Sequence, residues 1–331
     1  MVRKRQMDRR PNAINVNDPA IMSILNHKEY REQRTWYPAK VLLFGEYTLL
    51  LGKAGLAIPL SNFGGSLSEA PAKDARANES NSSIYGLFNF IVANQTNYRF
   101  LEFERFAHDV KNGLWFDSNI PVGSGLGSSA ALVAAIYDRY KIESSNNLNA
   151  LKGQLAALEN YFHRKSSGID PLVSYLNSPL LIKDSNNLNA LSDWQSNIPE
   201  QTVFLVDTTI RSKTGNLVEE FLARWNSDSA FRHIVDNQYV PLSDRLAEKF
   251  TTADNNSVWD DLRQLSELQR FIFDPMIPDS FKQHFSNGLS TESFLLKLCG
   301  SGGGGYMLGF TKERALVDDY FSFYHLPVFY I

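Results

Sequence analysis

A short turn rich in glycine and serine runs directly into an apolar, helix-forming segment, and this pairing constrains the chain more than any other feature. The turn is Pro121-Val-Gly-Ser-Gly-Leu-Gly-Ser-Ser-Ala-Ala131, and the segment that follows is Ala131–Tyr137. Glycine lets a backbone curl tightly and approach a ligand closely. The first N–H groups of a helix have no partner within the helix, and the helix dipole favours an anion there. The sequence therefore predicts a phosphate-binding loop. The alternative is a plain capped turn before a buried helix.

The loop matches neither of two common nucleotide-binding motifs. A Walker A loop requires lysine after its last glycine, whereas Ser128 follows Gly127. A dinucleotide-binding fingerprint requires glycine where Ser128 stands. We therefore expect a phosphate loop of another kind.

A second glycine cluster lies near the C-terminus, in Lys297-Leu-Cys-Gly-Ser-Gly-Gly-Gly-Gly-Tyr306. It contains a formal G-x-G-x-x-G, but the residues that follow, Tyr306–Phe310, indicate a strand where a dinucleotide site needs a helix. Ordering four consecutive glycines costs much chain entropy. This cost favours a close backbone approach to another group, with a flexible hinge as the alternative.

A third segment, Tyr37–Gly52, begins with a predicted buried strand at Val41–Phe44, which Gly45 ends. Lys40 lies beside this strand. On local sequence alone it would be a solvated residue at the strand edge.

The three segments together resemble the three ordered motifs of the GHMP kinases, over roughly residues 36–312. The segments that carry the resemblance are Pro38–Tyr47, Pro121–Ala131 and Lys297–Gly305. Within this superfamily the chain looks most like mevalonate kinases, through its first motif and through Ser167-Gly-Ile-Asp170. Tyr47 departs from that pattern, because mevalonate kinases usually have His there and Gly-Glu-Tyr is common in phosphomevalonate kinases.

The resemblance implies an ATP-dependent kinase that acts on a small hydroxy acid, first of all on mevalonate at its 5-hydroxyl. The irregular succession of strands and helices independently favours an α+β fold. By resemblance, that fold is the two-domain GHMP kinase fold, with an ATP-binding α/β domain followed by a ferredoxin-like α+β domain. We expect a disordered extension over residues 1–34, the first domain over 35–195 and the second over 196–331.

The resemblance also implies roles for individual residues. Asp170 would be the catalytic base, and Lys40 beside it would lower the pKa of that carboxyl and stabilise charge in the transition state. Ser129 and Glu159 would hold Mg²⁺. The residues expected to bind ATP are Pro121, Gly123, Ser124, Gly125, Leu126, Gly127, Ser128, Ser129 and Ala130. The residues expected to contact the acceptor are Glu46, Tyr47, Gly302 and Gly303.

The leucines of the middle region recur at helical intervals, which places Glu159 on a helix that ends near His163–Lys165. On local sequence alone, Glu159 would be a surface residue paired with His163 one turn later. Asp170, before Pro171, would be an Asx turn or a helix cap.

Other functions stay open at this point. The alternatives are phosphomevalonate kinase, another sugar or amino-acid kinase of the superfamily, diphosphomevalonate decarboxylase, and a nucleotide-binding protein without catalysis. The presence of Lys40, Glu159 and Asp170 argues against the last of these.

The composition is typical of a globular enzyme, with 43% hydrophobic and 21% charged residues. A net charge of −3 argues against nucleic acid as a partner. The sequence lacks an apolar run of about 18 residues, so we expect no membrane partner. A single cysteine excludes an internal disulfide and, with ATP as cofactor, indicates the cytoplasm. A homodimer is compatible with the sequence.

The remaining patterns predict several elements. Alternating residues predict a strand at Phe100–Phe106, and a composition of small and polar residues predicts a loop over residues 62–82. We expect a strand at Val203–Val206 and helices near residues 216–225 and 258–273.

Overall fold

The computed structural model describes residues 35–69, 75–121, 123–145, 147–163, 165–191, 202–211, 214–252 and 257–331. The backbone alone is described for 75–77 and 214–216. The predicted N-terminal extension and the predicted domain boundary at residue 195 lie outside these ranges.

The first half of the chain forms a five-stranded antiparallel sheet. Its strands are β1 (Tyr37–Phe44), β2 (Gly55–Ser68), β3 (Trp115–Ser118), β4 (Leu180–Ile182) and β5 (Leu188–Ala190). The order is β1-β2-β4-β5, and β3 pairs with the far end of β2. The apolar residues of β1 are buried except Leu42, which is half-buried, so the run Val41–Phe44 forms the predicted strand.

Within the described ranges, five α-helices accompany this sheet. They are α1 (Ala75–Ala93), α2 (Phe103–Lys111), α3 (Ser128–Tyr140), α4 (Leu148–Glu159) and α5 (Ile169–Leu176). Helices α3 and α5 pack on each other and on β1, which brings the N-termini of both helices towards one strand.

The second half forms a four-stranded antiparallel sheet in the order β7-β8-β6-β9. The strands are β6 (Thr202–Asp207), β7 (Leu295–Leu298), β8 (Tyr306–Thr311) and β9 (Val328–Tyr330). The helices are α6 (Thr214–Ser227), α7 (Ser229–Ile234), α8 (Val240–Thr252), α9 (Val258–Ile272), α10 (Asp279–Thr291) and α11 (Arg314–Phe323). The order of strands and helices along the chain, together with the strand order β7-β8-β6-β9, is the ferredoxin-like arrangement that the resemblance implies. The α+β fold is confirmed.

The two sheets share one hydrophobic core. At the end of β1, the ring of Phe44 lies 5.0 Å from that of Phe250 on α8 and 6.2 Å from that of Phe310 on β8. This contact fixes the N-terminal strand against the C-terminal half. None of the helices within the described ranges has the length and apolar character needed to cross a bilayer.

Two element predictions are wrong. The segment Phe100–Phe106 does not form a strand, because Phe103, Phe106 and Val110 lie at helical spacing and Phe106 and Val110 are buried on one face of α2. The predicted loop over 62–82 is largely strand and helix, since β2 runs to Ser68 and α1 begins at Ala75.

The glycines that suggested a loop lie inside β2. A Cβ at Gly64 would fall 2.5 Å from the Tyr37 carbonyl oxygen. Residue 64 must therefore be glycine for β1 and β2 to lie this close together.

Candidate active site

The first glycine loop curls ahead of α3 as predicted. Gly123, Gly125 and Gly127 have φ values of 74°, 81° and 80°, in the left-handed region that favours glycine. Gly127 is the N-cap residue, and its carbonyl accepts the first helical bond, from the N–H of Ala131 at 3.0 Å. The N–H groups of residues 128–130 therefore precede the helical ladder and are placed to bind an anion.

Lys40 lies directly beneath this loop rather than in solvent. Its backbone N–H donates to the Leu126 carbonyl at 2.9 Å, which ties β1 to the loop. The residue is only 7% exposed, and a Cβ on Gly127 would lie 3.0 Å from its Cε. The lysine side chain thus runs along the glycine face of the loop.

Asp170 meets Lys40 from the first turn of α5. Lys40 Nζ lies 2.7 Å from Asp170 Oδ2. Burial alone would lower the pKa of Lys40, but the charge and hydrogen bond of Asp170 outweigh it and raise that pKa. Gly168 is the N-cap residue of α5, with φ 74°. Asp170 is therefore not the helix cap that its local sequence also allows.

Glu159 lies on the helix that the leucine spacing predicts, but it is the last residue of α4, so the helix ends there and not near His163–Lys165 as predicted. It is 4% exposed, and its carboxylate accepts a hydrogen bond from the Ser166 hydroxyl. Burial, and then the negative charge of Asp170, raise its pKa to about 7, against the opposing effects of Ser166 and Lys40. Glu159 is thus a buried acid of this site and not a surface helix residue.

The predicted pairing of Glu159 with His163 is not formed between their side chains. The backbone N–H of His163 donates to the Glu159 carbonyl at 3.1 Å, while its ring nitrogen Nε2 lies 3.2 Å from Ser129 Oγ. The site therefore brings together the start of α3, the end of α4, the start of α5 and the middle of β1.

The predicted Mg²⁺ ligands can be tested against the donor chemistry of the site. Mg²⁺ often takes one or two protein oxygens and completes its shell with phosphates and water. In the part of the chain that the structure describes, no three or more His, Cys, Asp or Glu residues form a metal cluster. Glu159 offers a buried carboxylate whose hydrogen-bond partner is a neutral hydroxyl, and a nearby cation would favour its ionised form. These residues fit a cation held mainly by a nucleotide.

The second glycine loop closes the site from the C-terminal half by backbone contacts, as its composition predicts. The N–H of Gly303 donates to the Met276 carbonyl at 2.7 Å, and the N–H of Gly305 donates to the Ile210 carbonyl at 2.6 Å. A Cβ on Gly305 would fall 2.5 Å from the carbonyl oxygen of Ser124 in the first loop. The two glycine loops are therefore in contact, and side chains there would separate them.

Gly302 and Gly303, the two glycines expected at the acceptor, both face the turn that ends at Met276. A Cβ on Gly302 would fall 2.4 Å from the Met276 carbonyl oxygen. Their assignment as substrate contacts stays a prediction.

Glu46 turns into the protein interior. Its carboxylate, 1% exposed, accepts a hydrogen bond from Lys297 Nζ, and Tyr239 and Gln269 donate to its Oε2 at 3.3 and 3.4 Å. Burial raises the pKa of Glu46, and the charge of Lys297 opposes that shift. Local sequence did not single out Lys297, Tyr239 or Gln269, because only the tertiary fold brings them to Glu46.

Tyr47 is also enclosed. It is 5% exposed, its ring centroid lies 4.7 Å from that of Phe221 and 5.0 Å from that of Phe273, and its hydroxyl donates to the carbonyl of Ser301. Tyr47 thus ties the end of the first motif to the second glycine loop. The roles of Glu46 and Tyr47 as acceptor contacts remain predictions.

A family comparison matches this arrangement. Residues 92–178, which contain the first glycine loop, Glu159 and Asp170, match the model of the GHMP kinases N terminal domain. This part of the chain is therefore similar to the N-terminal domain of the GHMP kinases.

Two curated relatives of this chain are mevalonate kinases. The protein of Dictyostelium discoideum is 23% identical over 238 residues, which cover 61% of this chain and 58% of the relative. The protein of Arabidopsis thaliana is 28% identical over 225 residues, covering 61% and 57%. The matched part of the chain thus spans less than two thirds of either relative.

Solved structures share the GHMP kinase fold over most of the chain. A crystal structure of mevalonate kinase superimposes with a TM-score of 0.61 at 16% identity, covering 90% of this chain and 98% of that one. The phosphomevalonate kinase of Streptococcus pneumoniae gives a TM-score of 0.60 at 12% identity, covering 91% and 99%. The fold is therefore common to enzymes with different acceptors, and fold similarity does not select between them.

Proposed function

We propose that this protein is a kinase of the GHMP type, which transfers the γ-phosphoryl group of ATP to the hydroxyl of a small hydroxy acid, with mevalonate as the acceptor. The observation that carries the proposal is the Lys40–Asp170 pair, 2.7 Å apart, directly beside the glycine loop at the N-terminus of α3. Phosphoryl transfer depends mainly on positioning and on electrostatic stabilisation. The Lys40–Asp170 pair and the glycine loop lie side by side, so groups for positioning and groups for electrostatic stabilisation are present in one site.

In this proposal the loop N–H groups of residues 128–130 bind the phosphates of ATP. The acceptor oxygen forms a bond to the γ-phosphorus while the bond from the γ-phosphorus to the bridging oxygen breaks, and ADP leaves. Asp170 orients the acceptor hydroxyl and takes its proton. Lys40 stabilises negative charge that develops on the transferring group.

Ser129 and Glu159 would hold Mg²⁺ in this reaction. When bound, Mg²⁺ would neutralise part of the negative charge of the phosphates. The chain's contribution is a carboxylate and a hydroxyl on two different helices, at the end of α4 and at the start of α3.

The choice of mevalonate is supported by the two curated relatives and by the Ser-Gly-Ile-Asp segment. The rival is phosphomevalonate, favoured by Gly45-Glu46-Tyr47. Its additional phosphate would call for additional cations. Lys40 and Lys297 are each already paired with a carboxylate, so neither offers an unpaired charge to that phosphate. ATP as cofactor and the single cysteine support a cytoplasmic location.

The test is an ADP-release assay with ATP and Mg²⁺ against mevalonate, phosphomevalonate, diphosphomevalonate, homoserine and galactose. Turnover with mevalonate alone supports the proposal. Turnover with phosphomevalonate alone would replace the acceptor and keep the chemistry. If none of the five acceptors gave ADP release, the proposed acceptor class would be contradicted.

A further inference from the structure

His163 is a residue of the site to which the proposed chemistry gives no role. It follows the end of α4, and its ring nitrogen Nε2 lies 3.2 Å from Ser129 Oγ in the first turn of α3. Residue 129 and residue 163 are far apart in sequence, so the fold, rather than local geometry, creates this contact. The hydrogen bond joins the end of one helix to the beginning of another.

The two side chains proposed to hold Mg²⁺ have separate partners. Glu159 accepts a hydrogen bond from the Ser166 hydroxyl, whereas the Ser129 hydroxyl is hydrogen-bonded to the His163 ring. A group that fixes the orientation of a metal ligand commonly matters to metal affinity almost as much as the ligand itself.

The direction of the Ser129–His163 hydrogen bond decides what it can do. A hydroxyl has one proton to donate and two lone pairs to offer. If Nε2 of a neutral imidazole accepts a hydrogen bond from this hydroxyl, both lone pairs of Ser129 stay available to a cation. If Nε2 carries the proton, it occupies one of those lone pairs instead. Only the tautomer with an accepting Nε2 prepares Ser129 as a ligand.

We propose that His163 is a positioning residue, which accepts a hydrogen bond from the Ser129 hydroxyl and so leaves the oxygen lone pairs of Ser129 to the Mg²⁺ of the bound nucleotide. This inference rests on the proposed function. It extends that function by naming the residue that prepares one of its two metal ligands.

The test measures binding rather than turnover. The affinity of AMPPNP, a non-hydrolysable ATP analogue, is measured by calorimetry with Mg²⁺ and again with EDTA. His163→Leu should weaken the Mg²⁺-dependent part of the affinity by about tenfold, and it should leave the affinity in EDTA unchanged. His163→Gln keeps an acceptor oxygen at a similar reach, so it should recover most of the loss.

Two controls separate orientation from general damage. In a Ser129→Ala background, His163→Leu should have no further effect, because the group that it orients is gone. His233 is bonded to Asn237 in the other half of the chain, and His233→Leu should match the wild type under both conditions.

The outcomes distinguish this inference from the function on which it rests. If the wild type shows Mg²⁺-dependent binding and His163→Leu retains it, the inference is overturned and the proposed function stands. An effect of His163→Leu that is equally large in EDTA, or in the Ser129→Ala background, also overturns it. A wild type that does not bind AMPPNP in either condition overturns both.

Discussion

Lys40 and Asp170 form an ion pair whose two members differ sharply in exposure: the lysine side chain is 8% exposed and the aspartate side chain 42%. The ammonium group is therefore fixed inside the protein, while the carboxylate keeps one side open to solvent. A buried cation holds the aspartate in place, and the open side is available to an acceptor hydroxyl. This asymmetry is what a positioned base requires.

The packing of Gly127 on Lys40 leads to the first prediction. Gly127→Ala places an alanine in a left-handed backbone conformation, and its Cβ would lie 3.0 Å from Lys40 Cε. The backbone strain should cost about 1–2 kcal/mol of the free energy of unfolding. Displacement of the lysine should also lower kcat, by about a hundredfold if the shift approaches 1 Å. Urea unfolding and steady-state kinetics measure the two effects.

Gly52→Ala is the matched control for that variant. Gly52 has φ 72°, and an added Cβ would meet nothing within 4 Å. It should therefore show the same loss of stability with a normal kcat. Equal kinetic loss in both variants would show that strain, rather than the position of Lys40, limits turnover.

The buried pair of Lys297 and Glu46 leads to the second prediction. Lys297→Met leaves the Glu46 carboxylate without its cation in the core, which should lower the free energy of unfolding by about 3–5 kcal/mol. The double variant with Glu46→Gln removes the stranded charge and keeps an acceptor for Tyr239. It should regain most of the loss in a urea titration. A double variant as unstable as Lys297→Met alone would mean that the charge itself is not the cause.

Cys299 leads to the third prediction. Burial, which the nearby charges of Lys297 and Lys40 only partly offset, raises the pKa of its thiol to about 11. A raised thiol pKa favours the protonated, unreactive form, so about one molecule in a thousand would carry a thiolate at pH 8. Because it is the only cysteine in the chain, labelling with iodoacetamide reports on this site alone. The native protein should label very slowly at pH 8 and faster towards pH 11.

The protein unfolded in guanidinium chloride is the control for the labelling experiment. It should react at the rate of an ordinary exposed thiol at every pH. Fast labelling of the native protein at pH 8 would contradict both the burial of Cys299 and the raised pKa of its thiol.

Local sequence was sufficient to predict structure where a backbone conformation requires glycine, or where apolar residues recur at helical spacing. The glycines of the first loop could be assigned because only glycine adopts left-handed φ values at little cost, and Ala131–Tyr137 could only be a helix next to them. The helix carrying Glu159 followed from leucine spacing. The roles of Lys40 and Asp170 came from resemblance, since local sequence alone favoured a solvated edge and a turn.

The partners of these residues could not be predicted, because they depend on contacts between distant segments. The spacing of the leucines in α4 does not show that the His163 ring forms a hydrogen bond with Ser129, while Glu159, four residues earlier, accepts one from Ser166. The strand predicted at Phe100–Phe106 was wrong because seven residues of alternation can also fit the face of a short helix. Glycines within β2 suggested a loop, although close packing of two strands explains them.

In the proposed reaction Asp170, held by Lys40, is the base for phosphoryl transfer to mevalonate. The most direct measurement is the kcat of Asp170→Asn with mevalonate and ATP, together with calorimetric binding of Mg²⁺-AMPPNP. Asp138→Asn is the control, because Asp138 pairs with Lys141 outside the candidate site. Asp170→Asn should lower kcat by about 10²–10⁴-fold and leave nucleotide binding unchanged, and the Asp138→Asn control should behave like the wild type. A kcat within a few-fold of the wild type in Asp170→Asn would contradict the assignment of Asp170 as the base.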